Sequence, residues 1–230
     1  MKEKETVQKM FNDISSRYDF LNHFLSLGID ILWRKKFVRI LSGYKPSRIL
    51  DVATGTGDLA FCICSLRPDH VTGIDIAAGM LSIAREKAIR KGLKDTVEFL
   101  EADAENIPFP EGSFDAVTVA FGVRNFADLE KGLLEMKRIL RPGGVMMILE
   151  FSHPSRAPWK QFYDFYSRKI IPFAGKLISG HREAYTYLPS SVAAFPSGAD
   201  LIAILDATGL KNASFHTLTF GIATIYVAEK

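Results

Sequence analysis

The chain has 230 residues, 47% of them hydrophobic and 24% charged, with a net charge of +3. That is enough apolar material for one full core and too little basic excess for a nucleic-acid binder. The opening stretch "MKEKETVQKMF" lacks an apolar signal region and no apolar run is long enough to span a bilayer, so the cytoplasm is the expected compartment.

Residues 1–40 carry apolar positions at helical spacing, around "RYDFLNHFLSLGIDILWRKK". Gly43, Pro46 and Ser47 then mark a boundary. From Arg48 strand and helix patterns alternate. "RILDVA" reads as a strand and "GDLAFCICSLR" as a helix; "HVTGIDI" as a strand and "AGMLSIAREKAIRKG" as a helix ending at Gly92. "TVEFLEAD" and "FDAVTVAF" are strands, followed by a helix through Leu140, the turn "RPGG" and the strand "GVMMILEF". This order predicts an α/β fold with a doubly wound, mostly parallel sheet.

The alternation stops at "SHPSRAPW". Residues 152–196 are rich in aromatics, among them Trp159, Phe162, Tyr163, Phe165, Tyr166, Phe173, Tyr185 and Tyr187, and are expected to form helical cover over a site. "NASFHTLTF" and "GIATIYVAE" read as a terminal strand pair with Gly221 between them. The chain is thus expected to be one domain in four parts: a helical cap (1–45), a ligand-binding core (46–151), helical cover (152–196), and a last helix and strands (197–230). Cys62 and Cys64 sit two apart on a predicted helix, as core residues rather than a disulfide framework or metal site.

The stretch "ILDVATGTGDLA" is a strand, a glycine turn and a helix start. Gly55, Gly57 and Ala60 match the dinucleotide pattern G-x-G-x-x-G/A, and Asp75 ends the next strand at about the spacing of a ribose-binding acid, so a nicotinamide dehydrogenase competes. The charge pattern argues against it. A pyrophosphate favours bare N–H groups at a helix N-terminus, whereas Asp51 and Asp58 bracket this turn with negative charge. A cationic nucleoside such as S-adenosylmethionine suits such a turn. At the end of the third strand, Asp103 can accept from an adenine amino group and the Ala104 N–H can donate to a ring nitrogen.

Four longer stretches narrow the reading. "RYDFLNHFLSLGIDILWR", "FGVRNFAD", "RILRPGGVMMILEFSHP" and "YTYLPSSVAAFP" resemble blocks of the ubiquinone/menaquinone biosynthesis C-methyltransferases, over nearly the whole chain. The resemblance implies a class I, Rossmann-like fold with a seven-stranded sheet. It also implies methyl transfer from S-adenosylmethionine to a ring carbon of a prenylated quinol, demethylmenaquinol or a ubiquinone precursor. Other small phenols or sterols, and a non-catalytic partner in a quinone pathway, are the alternatives. The implied cofactor contacts fall on Thr56, Asp75, Asp103 and Ala104; the residue reading adds Asp51, Gly55 and Gly57. Where the family commonly has histidine before the N-terminal tryptophan, this chain has Asp30, and Ala120 replaces a serine of some members.

The reaction needs a polarised quinol hydroxyl and a dry pocket, but no metal. Arg124 and Asn125 follow the fourth strand and face the cleft in this reading, Arg124 to hold a phenolate; Tyr18 is a candidate donor to a quinol oxygen. The competing expectation is that Arg124 pairs with Asp19 or Asp128. None of His23, His70, His153, His181 and His216 is nominated as a base. The run Arg34, Lys35, Lys36 with Arg39 is a candidate contact for anionic headgroups at a membrane surface.

Overall fold

The computed structural model describes residues 4–26, 28–154, 157–166 and 182–230; the side chains of 14, 16–25, 182–186 and 188 lie outside the description. Two helices lead: α1 (Lys4–Leu25) and α2 (Ile29–Leu41). The alternating core follows as β1 (Arg48–Val52), α3 (Asp58–Ile63), β2 (His70–Asp75), α4 (Ala78–Arg90), β3 (Val97–Glu101), β4 (Phe114–Ala120), α5 (Leu129–Ile139) and β5 (Leu140–Phe151). The remainder is α6 (Trp159–Phe165), α7 (Arg182–Ala194), α8 (Ala199–Ala207), β6 (Lys211–Leu218) and β7 (Ala223–Glu229).

The strands form one seven-stranded sheet in the order β3-β2-β1-β4-β5-β7-β6. β3 to β5 are parallel, and β7 and β6 join antiparallel at one edge. Both faces are covered, so the central strands read as continuous apolar runs rather than alternating ones. On one face Ile49, Val71 and Met147 pack with Trp33, Phe37, Ile63 and Leu81. On the other, Leu50, Val117 and Ile148 pack with Leu133, Met136, Leu201 and Leu205.

Two local expectations change. The "RPGG" segment is not a turn before the strand: β5 begins at Leu140, which pairs with Phe114, and the register slips before Ala116 pairs with Val145. The bulge accommodates Pro142, which cannot serve a regular ladder. The helix expected after the glycine turn is also shorter; it stops at Ile63 and tightens into a 3-10 turn, Cys64–Leu66.

The sheet reverses its order at β1, with β2 and β3 to one side and β4 and β5 to the other. A ligand crevice belongs at the carboxyl ends of β1 and β4 in such a sheet. Gly122, just past β4, lets the two chain segments meet there: a Cβ on it would stand 2.5 Å from Ala53 Cβ.

Candidate active site

A pocket opens at that reversal. Its wall comes from the ends of four strands, with Ala53 and Gly55 after β1, Asp75 and Ile76 at β2, Ala102 to Glu105 after β3, and Ala120 to Gly122 after β4. Val7 and Phe11 of α1 close it from above, and Asn125 to Ala127 complete the far side. Gly55 has a positive φ of 56°, and a Cβ there would point into open space. A side chain at this position would be strained and would project from the turn.

The acids divide into two groups. Asp75 and Asp103 line the pocket, as does Ala104. One Asp75 oxygen accepts from the Gly55 N–H at 2.8 Å and the other from the Ala77 N–H at 2.9 Å. Burial raises the Asp75 pKa against those hydrogen bonds. Asp103 accepts from the Glu105 N–H at 2.9 Å and from Lys4 at 2.7 Å. Burial would raise its pKa, but Lys4 and the amide bond hold it below the usual range.

Asp51 is in the second group. It is buried beneath the turn, off the wall, where Thr54 and Thr118 hydroxyls donate to it at 2.7 and 2.8 Å. Burial pushes its carboxyl up to about 6 despite both hydroxyls and the nearby Arg34. Asp58 is met by Lys87 at 2.5 Å and by Arg34 at 3.7 Å, and Arg34 also holds Asp30 at 2.5 Å. Of the negative bracket expected around the glycines, Asp58 is therefore met by cations, while Asp51 is held off the wall by neutral hydroxyls. Thr56 and Gly57 also lie off the wall; both are buried, and Lys87 donates to the Thr56 hydroxyl at 3.2 Å. The carboxylates on the wall are Asp75, Asp103 and Glu105, the last two sharing Lys4 as counter-charge.

The ubiE/COQ5 methyltransferase family matches the chain over residues 1–230. The chain belongs to that family. It is 46% identical over 230 residues to the demethylmenaquinone methyltransferase of Bacteroides fragilis, covering 100% of this chain and 94% of that one. It is 49% identical over 222 residues to the enzyme of the same name from Thermus thermophilus, covering 96% and 100%. A ubiquinone/menaquinone biosynthesis C-methyltransferase from Geotalea daltonii is 45% identical over 228 residues, covering 98% and 97%. Among solved structures, the [4+2]-cyclase SpnF is similar in fold at a TM-score of 0.72 and 17% identity, over 100% of this chain and 97% of that one. A methyltransferase structure from Thermotoga maritima aligns at 0.64 and 18% identity, over 95% and 98%.

In this methyltransferase the groups expected to meet the substrate are arranged differently from the sequence reading. Asn125 is on the wall and accepts a hydrogen bond from the Tyr187 hydroxyl at 2.9 Å. Arg124 stands behind it, buried, with Nη1 donating to Glu150 at 2.8 Å and also to the Phe121 carbonyl. Among the described residues it pairs with Glu150 and not with Asp128, whose side chain caps α5 by accepting from the Lys131 N–H. The side chains of Tyr18 and Asp19 lie outside the described residues. None of His70, His153 and His216 lines the pocket; His153 pairs with Asp164 at 2.8 Å. Of the aromatic cover, Phe162 and Phe165 are exposed and Trp159 stacks on Phe220 at 3.8 Å; Phe173 and the Tyr185 side chain fall outside the described residues.

Sequence reasoning missed Lys4, Glu105 and Glu150. Lys4 joins Asp103 and Glu105 at 2.7 and 2.6 Å and so pins the start of α1 to the pocket rim. Gln8 donates to the Ile76 carbonyl at 2.5 Å and Asn12 accepts from the Gly79 N–H at 2.9 Å, continuing the seam. Glu105 also accepts from the Ala127 and Asp128 N–H groups, tying the third-strand turn to the fourth. These links cross long sequence distances, and no local pattern announces them.

Proposed function

We propose that this methyltransferase carries a methyl group from S-adenosylmethionine to a ring carbon of demethylmenaquinol, giving menaquinol. The observation that carries the cofactor half is the carboxylate wall, Asp75 with the Lys4-bridged Asp103 and Glu105, around a glycine turn whose Gly55 leaves open space. The names of the relatives from Bacteroides fragilis and Thermus thermophilus carry the substrate half. The name of the Geotalea daltonii relative supports a second substrate, a benzoquinol precursor of ubiquinone.

The cofactor supplies a methyl group on a sulfonium, electrophilic without any metal. The Asp75 carboxylate suits two ribose hydroxyls, since it can accept further bonds beyond the Gly55 and Ala77 amides. Asp103 and the Ala104 N–H suit an adenine edge. Val7, Phe11, Met80 and Phe126 make the walls that exclude water. On the substrate side, Asn125 lines the pocket and Arg124 lies buried behind it after β4; in this reading the pair stabilises a developing phenolate, with Tyr18 as the third polar candidate. Arginine stays protonated, so its part is electrostatic and not that of a base.

No helix among the described residues is long and apolar enough to cross a membrane. A prenylated quinol nevertheless partitions into lipid, and one face of α2 fits a cytoplasmic enzyme that visits an anionic membrane surface. Ile31, Leu32, Lys35, Lys36 and Arg39 are all exposed on it, Leu32 at 61%. Arg34, first read with this run, is turned inward to Asp30 and Asp58 instead.

Incubation with methyl-labelled S-adenosylmethionine and a panel of naphthoquinols, benzoquinols and simple phenols tests the assignment. Label in the naphthoquinol ring is expected. Label on a phenol oxygen, or only in an unrelated acceptor, would overturn it.

A further inference from the structure

Glu150 sits one residue past Leu149, which pairs with Ala120 at the end of β4. It is 1% exposed, at the carboxyl edge of the sheet where the pocket opens. An ionised carboxylate in that position is costly unless it is fully met by donors. Its donors come chiefly from one residue. Oε1 accepts from Arg124 Nη1 at 2.8 Å and Oε2 from the Arg124 backbone N–H at 3.3 Å, while the Phe151 N–H adds a third bond at 2.8 Å. Glu150 therefore holds Arg124 at both ends, main chain and guanidinium.

The guanidinium is held on two further sides. The Phe121 carbonyl accepts from Nη1, and the Phe151 ring centroid lies 5.4 Å from the guanidinium carbon. Phe121 and Asn125, on either side of Arg124 in sequence, both line the pocket. A shift of Arg124 would thus be felt in the wall. A donor that must meet charge as it develops contributes most when it is already in place, because no reorganisation is then needed during reaction.

We propose that Glu150 is a positioning residue for methyl transfer, acting through Arg124 by fixing the plane and place of its guanidinium. This rests on the reading of Arg124 as the group that stabilises the quinol oxyanion. An apolar pair of similar volume would serve stability alone about as well. The ionic pair makes sense where a cation must be kept at one address behind the wall formed by Phe121 and Asn125.

The test uses three variants of the whole protein: Glu150→Gln, Arg124→Met and the double variant. Single-turnover rate with saturating cofactor and quinol, cofactor affinity by calorimetry, and thermal midpoint are measured on the same preparations. Glu150→Gln is expected to slow methyl transfer about ten- to a hundredfold, the scale of coupling between contacting residues, with cofactor affinity unchanged. The double variant removes both buried charges, so its midpoint is expected to recover above that of either single variant. Its rate is expected to stay at that of Arg124→Met, because Glu150 has nothing left to orient. A normal rate in Glu150→Gln beside a slow Arg124→Met overturns the inference alone. So does a double variant whose loss is the product of the two single losses. A normal rate in Arg124→Met removes Arg124 from the chemistry, and Glu150 with it.

Discussion

The Asp75 carboxylate accepts the Gly55 N–H at 2.8 Å across a gap of 20 residues, so the acid at the end of β2 holds the glycine turn at the end of β1. The same residue is thus a structural tie and a candidate ribose ligand. Its other oxygen accepts from Ala77 and fixes the start of α4. Asp75→Ala is expected to weaken S-adenosylhomocysteine binding by about 2–4 kcal/mol, since charged hydrogen bonds contribute about 1.5–3 kcal/mol each and do not add fully. It should also lower stability, because two amides lose their acceptor. Asp75→Asn keeps an acceptor oxygen and should recover part of the stability but little of the affinity. Calorimetric titration and thermal melts on both variants check this.

Asp51 gives a pH prediction of unusual sign. Its folded pKa, about 6, lies above its ordinary 3.8, chiefly through burial. A raised folded value favours the fold fully below the unfolded value, and that contribution is lost as pH rises through the folded one. At about 1.4 kcal/mol per pH unit, the loss between about pH 4 and pH 6 is about 3 kcal/mol. Asp51→Asn cannot ionise and keeps an acceptor oxygen for one of the two threonine hydroxyls. Its stability relative to the parent should therefore rise from pH 4.5 to pH 7.5, as read by denaturant unfolding. A difference that stays flat with pH would show that Asp51 titrates normally.

Arg124 is expected to separate binding from chemistry. If it stabilises a phenolate, Arg124→Lys should lower kcat by about tenfold or more, since lysine keeps the charge but not the planar guanidinium, whose Nη1 meets both Glu150 and the Phe121 carbonyl. Arg124→Ala should lower it by about 10²–10³. It should also cost about 3–5 kcal/mol of stability by leaving Glu150 buried without its cation. Cofactor affinity should change little in Arg124→Lys. The single-turnover rate, measured beside the thermal midpoint, distinguishes lost chemistry from lost fold.

The exposed face of α2 predicts salt-sensitive membrane contact. Sedimentation with vesicles containing a third anionic lipid should bring the protein down at low salt and release it at high salt, since surface attraction falls off within about 10 Å at 0.1 M salt. Lys35→Glu with Lys36→Glu should abolish this, and Leu32→Ser should weaken it, without altering turnover of a short-chain, soluble quinol. Equal sedimentation of the parent and the double variant would remove α2 from the membrane reading.

The sequence by itself determined the alternation of strand and helix, the seven strands, the glycine turn and the two wall acids at successive strand ends, Asp75 and Asp103. Those features are local: a period of 2 or 3.6, a turn residue, an acid just past an apolar run. Which charges act in the pocket was decided only by tertiary structure. Asp51 and Asp58 look like free negative charge in the chain, yet Thr118 lies 67 residues from one and Lys87 lies 29 from the other. Arg124 gained Glu150 from a neighbouring strand 26 residues on, and Asp103 gained Lys4 from 99 residues away. The field of an ionised group depends on what stands within a few ångströms of it. Sheet register and helix packing bring those neighbours together, and short-range sequence spacing carries no record of either.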